Sequence, residues 1–184
     1  MNLAERIVTG NGAGPISGAV YVTATQTAVG FSVGVATNLS GLGIYNPVIA
    51  GTGGTAVKVV LLDANLAPSA VPAAVSVAMI AKWNTMQGTG TGFTGVKSTN
   101  APIFQHGLAG TSTNSTAVVF GTGSTMIIPS FVKALYGLGT YSGVTPGPLQ
   151  LQGEISLLPG EAAIIVGSTA ATGFASLTWA EVPL

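Results

Sequence analysis

Apolar and polar positions alternate along this chain with a period of two, in short runs broken by clusters of Gly, Pro, Asn and Thr. A period of two belongs to pleated strands that turn one face to a core. It predicts strands over residues 19–25, 29–37, 43–50, 56–63, 75–83, 101–106, 116–120, 125–132, 149–157, 162–167 and 174–181. The last of these is the clearest, because Ala175, Leu177 and Trp179 alternate with Ser176 and Thr178. The segment 162–167 is apolar on both faces, with Ile164 and Val166 on one and Ala163 and Ile165 on the other. A strand of that kind calls for a second layer or a subunit interface. No run has convincing helical spacing. Residues 75–83 come nearest, and the Val75, Val77, Met79 alternation there fits a strand at least as well.

About eight to eleven short strands at this spacing imply an all-β, antiparallel sandwich or barrel. The Gly- and Thr-rich stretches 86–95 and 109–115 have the composition of flexible loops within one domain. Gly10, Gly12, Gly14 and Pro15 separate Ile7 and Val8 from the first strand, so residues 1–15 are expected to form an N-terminal arm and 16–184 a single domain.

Charge changes this picture most. Only five basic and five acidic residues occur in 184, or 5%, with formal net charge zero. About 25% is usual for soluble domains. Mean hydropathy is +0.62. A free monomer with so few charges has little colloidal protection, so either other protein covers its surface or a membrane does. No charge lies between Arg6 and Lys58, but Asn38, Ser40, Gly41, Asn46 and Pro47 interrupt that window too often for a spanning helix. A membrane barrel would show aromatic girdles, and Trp83 and Trp179 are the only tryptophans. Glu5 and Arg6, with no apolar stretch after them, argue against a cleaved signal peptide. Five cations argue against nucleic-acid binding, and the absence of Cys excludes disulfides and thiolate chemistry.

Candidate chemistry is thin. His106 is the sole histidine and Asp63 the sole aspartate, and Gly121-Thr122-Gly123-Ser124 is not a nucleophile elbow. Glu154 and Glu161 flank a turn and are expected to be solvated or paired with Lys or Arg rather than catalytic. Asp63-Ala64-Asn65 is a weak calcium pattern. The glycine pairs at 51–54 and 88–92 do not continue into a phosphate loop. No enzyme activity, cofactor or metal is expected.

Leu158-Pro159-Gly160-Glu161 reads as a type II turn, with Pro at its second position and Gly at its third. This turn, the strands around it and the final strand carry a resemblance. Leu151, Ile155, Leu157, Pro159, Gly160, Glu161, Ile164, Val166, Ser176, Leu177, Trp179 and Glu181 resemble the C-terminal hairpin of trimeric jelly-roll proteins of tailed-bacteriophage virions, the capsid decoration (cement) and head-fibre proteins. The likeness covers residues 146–184, and the rest only in composition. It implies an antiparallel jelly-roll sandwich that forms a homotrimer. Ile155, Leu157, Pro159, Gly160, Ile164, Val166, Leu177 and Trp179 would be interface or structural positions. It also implies a virion protein on the capsid exterior, made in the host cytoplasm, that clamps neighbouring major capsid proteins, with no nucleic-acid or membrane partner. The alternative is a head-fibre or tail-associated module that reads a host glycan or protein through loops 86–95 and 140–147. The charged residues are then expected at exposed rims or in interfacial ion pairs.

Overall fold

A computed structural model describes residues 19–31, 38–48, 56–69, 76–83, 99–112, 114–121, 124–125, 131–138 and 149–184. Among them there are strands and no helix: β1 (Ala19–Ala24), β2 (Val29–Phe31), β3 (Asn38–Leu39), β4 (Gly43–Tyr45), β5 (Val57–Pro68), β6 (Ser76–Trp83), β7 (Ile103–Gln105), β8 (Val118–Phe120), β9 (Ser124–Thr125), β10 (Phe131–Leu138), β11 (Leu149–Leu157), β12 (Ala162–Gly167) and β13 (Ala171–Pro183). The expected arm at 1–15 lies outside the described residues.

Two antiparallel sheets form the body, ordered β11-β5-β13-β1-β7 and β10-β6-β12-β4-β8. In the first, β2 also pairs with β13; a small third sheet joins β3 to β9. Four strand pairs are nested. β1 lies beside β13, β4 beside β12, β5 beside β11 and β6 beside β10, so the chain resembles one long hairpin rolled on itself.

Between the sheets lies one main core. Tyr21, Leu61, Leu157, Leu177 and Trp179 from the first sheet meet Ile44, Ile80 and Ile165 from the second. Trp179 is fully buried and its ring stacks on Tyr21 at 5.7 Å between centroids. Stacked aromatics of this kind add about 0.5–1.5 kcal/mol beyond their area. The alternation expected for the last strand holds, with Ala175, Leu177 and Trp179 buried and Ser176 and Thr178 half-buried.

Strand β12 is buried at all six positions. Ala163 and Ile165 enter the main core, while Ala162, Ile164 and Val166 join Ala81, Trp83 and Phe120 in a second cluster on the other face. All of these belong to β6, β12 and β8 of the one sheet, so the cluster lies on that sheet's outer face. The first sheet also has an apolar outer face, where Val60, Leu62 and Ala180 cluster.

Several boundaries differ from expectation for local reasons. β5 continues to Pro68 rather than stopping at Asp63. Its inward set is Val57, Val59, Leu61 and then Ala64 and Leu66, a change of parity. A bulge absorbs that change: Thr178 pairs with Asp63 and Trp179 with Leu61, leaving Leu62 extra. β4 ends at Tyr45, since Pro47, two residues on, has no N–H to continue the ladder. The stretch expected as one strand at 125–132 instead contributes to β9 and β10, which belong to different sheets.

The turn joining β11 to β12 forms as expected. Gly160 has φ +92°, and the Glu161 N–H donates to the Leu158 carbonyl at 3.0 Å, the bond that closes a four-residue turn.

Candidate functional site

Two polar knots and a set of exposed apolar side chains stand out from the apolar body. The first knot closes one end of the sandwich. Asn46, Lys82 and Glu161 lie at inward positions of β4, β6 and β12 or just beyond them. Lys82 Nζ is 3.0 Å from Glu161 Oε2 and donates to the Ser156 carbonyl at 2.7 Å. Glu161 Oε2 also accepts the Leu158 N–H at 2.7 Å. Asn46 Nδ2 donates to the carbonyls of Val57 and Leu157 at 2.8 and 2.9 Å, and its backbone exchanges bonds with Glu161 and Gly160. These bonds tie the second sheet to the ends of β5 and β11 in the first. Asn46 Oδ1 is buried with no protein partner.

Glu181 is the centre of the second knot. Its position shares the inward parity of Ala175, Leu177 and Trp179, and it is 6% exposed. Its Oε1 accepts the Ser115 hydroxyl at 2.6 Å, the Ala117 N–H at 3.1 Å and the Trp179 indole N–H at 3.2 Å. Its Oε2 accepts the Thr116 N–H at 2.9 Å. Four donors satisfy the buried carboxylate, as burial of a charge demands. Burial, and then the Glu181 charge nearby, push the Tyr21 phenol above its ordinary value.

The residues singled out from sequence fall as follows. Ile155, Leu157, Leu177 and Trp179 are in the main core, Ile164 and Val166 in the second cluster, and Pro159 and Gly160 on the half-buried turn. His106 is exposed just after β7. Glu154 pairs with Lys133, joining the open edges of the two sheets at β11 and β10, while Glu161 pairs with Lys82. The two carboxylates therefore serve separate ion pairs. Asp63 and Asn65 are half-buried, and burial raises the Asp63 carboxyl above its ordinary value, against the pull of the Ala64 N–H. No group of three or more metal-ligating side chains occurs among the described residues. No described helix is long and apolar enough to cross a membrane. Loops 86–95 and 140–147 lie outside the described residues.

The charges are not all at rims, since Glu161 and Glu181 are buried. The reason is the same in both knots: backbone groups at strand ends need acceptors, and a carboxylate supplies several lone pairs at once. Sequence reasoning passed over Asn46 and Ser115. A signal for Glu181 existed, a charge at an inward position of an otherwise apolar alternation.

Exposed large apolar side chains complete the description: Val48 63%, Phe104 39%, Leu108 57%, Leu158 48%, Phe174 45% and Leu184 66% exposed. Comparison with protein-family models, curated proteins and solved structures finds no match for this chain.

Proposed function

We propose that this chain is a structural virion protein, a homotrimeric jelly-roll cement subunit that clamps neighbouring major capsid proteins on the exterior of a tailed-phage head. The observation that carries the reading is the distribution of charge against apolar exposure. Lys82, Lys133, Glu154, Glu161 and Glu181 are engaged within the chain, while large apolar side chains such as Val48, Leu108 and Leu184 face outward. A surface of that kind is suited to burial by protein, where apolar area contributes roughly 25 cal/mol per Å2 before association costs. The nested pairing of β1 with β13, β4 with β12, β5 with β11 and β6 with β10 supports the jelly-roll part. The two knots support a non-catalytic role for Glu161 and Glu181, since donors surround both carboxylates.

The test is capsid stability. Purified protein added to capsids stripped of it should raise the temperature at which they open. Capsids that open at the same temperature with and without saturating protein would contradict the proposal.

A further inference from the structure

We infer that the ion pair of Lys133 with Glu154 is a latch that closes one side of the sandwich to strand pairing with a second copy of this chain. This role is separate from the cement role proposed above. Among the described residues, β7, β8, β10 and β11 end the two sheets. An end strand presents unpaired N–H and C=O groups, a template for another chain. β7 and β8 have three residues each. The outer edge of β7 is already taken by its own hairpin, where Phe104 bridges to Thr111 and the Ser112 N–H donates to the Ile103 carbonyl at 2.7 Å. β10 and β11 run for eight and nine residues. These are the ends long enough to recruit a strand, and a second copy brings edges of the same length to pair with them about a two-fold axis.

Both long ends are irregular where the pair sits. From Gln150 to Ile155, β11 advances five residues while β5 advances two, from Asp63 to Leu61, so β11 carries three extra residues. Gly153 turns that stretch with φ +81°, which residues with a side chain rarely adopt. β10 carries one extra residue between Ala134 and Tyr136, which face Met79 and Ala78. Such bulges bend an edge and interrupt its row of hydrogen-bonding groups. Glu154 is the last residue before β11 resumes its register, and Lys133 immediately precedes the irregularity in β10. Their ion pair therefore fastens one bulge to the other across the gap between the sheets. Stability does not account for it. The two side chains are 30% and 62% exposed, and a pair so open to water adds little to a fold. Yet these are two of only ten charged residues in the chain. A strand adding to either edge would have to desolvate the pair or pull it apart, and both oppose pairing.

The experiment replaces both charges with neutral side chains of similar length, K133M with E154Q, in the full chain. The double variant should unfold at the parent's urea midpoint. Its light-scattering mass should climb with concentration to roughly twice the parent's, as pairing about a two-fold axis implies. The charge-swapped variant K133E/E154K rebuilds the pair in reverse and should return to the parent's mass. A double variant that keeps the parent's mass at every concentration would overturn the latch. So would a charge-swapped variant that associates as the neutral one does, because contact between the two side chains would then not be what closes the edge. A neutral variant with a urea midpoint well below the parent's would also overturn it, making the pair a support of the fold instead.

Discussion

Glu181 concentrates more of this protein's chemistry than any other described residue. Replacing it with Ala leaves the Thr116 and Ala117 N–H groups and the Trp179 indole without this acceptor, while the Ser115 hydroxyl keeps the Ala117 carbonyl at 3.1 Å. Each buried donor left unsatisfied costs about 1–3 kcal/mol. E181A should therefore lose about 3 kcal/mol or more in urea titration, and a loss below about 1 kcal/mol would show that the knot is not structural. Asp63 makes the opposite contribution. Its carboxyl is raised from 3.8 by burial, so the fold favours its neutral form. That contribution is fully present below the unfolded value and is lost as pH rises through the folded one. D63N should be more stable than the parent at neutral pH, and the advantage should vanish as pH falls below about 4. Thermal unfolding across pH measures this; an advantage that grows in acid would contradict it. Of these two residues, sequence alone marked Asp63 only as a weak metal candidate. Its meaning comes from the bulge that places it, and a bulge leaves no mark beyond a change in parity.

At the scale of elements, the C-terminal hairpin was the most legible part of the chain. Strands β11 and β12 have the bounds their alternation predicts, and the Pro159-Gly160 pair specified the turn between them. Gly160→Ala forces a side chain into φ +92° and brings its Cβ to 3.2 Å from Val48 Cγ2. It should cost about 1–2 kcal/mol, read by urea unfolding, and a neutral result would contradict the turn. Less legible was the hairpin at 103–112. Its first part reads as a strand, but 109–115 reads as a flexible loop from its Gly, Thr and Ser residues, because the backbone bonds that hold it, Phe104 to Thr111 and the Ser112 N–H to the Ile103 carbonyl, leave no mark in composition. Strand β5 was read short for a related reason. Alternation fails at Leu62, and only the partner strands reveal that pairing resumes beyond it.

For the whole molecule, composition and pattern gave fold class readily, since eleven alternating runs with no helical period leave few ways to bury them. Which strand neighbours which was not available from pattern, because every strand carries the same period. The nested pairing emerges only with the register of β13, which runs between β1 and β5 at the middle of its sheet. The surface reading follows the same logic at larger scale. Glu161 and Glu181 are buried while Val48, Leu108 and Leu184 face outward, and on that distribution the proposed covering by other protein rests.

Light-scattering mass of the purified chain at micromolar concentration tests that claim most directly. The account predicts three times the mass of one chain, stable to dilution. A monodisperse, soluble monomer would contradict it, because a surface this poor in charge would then need no partner.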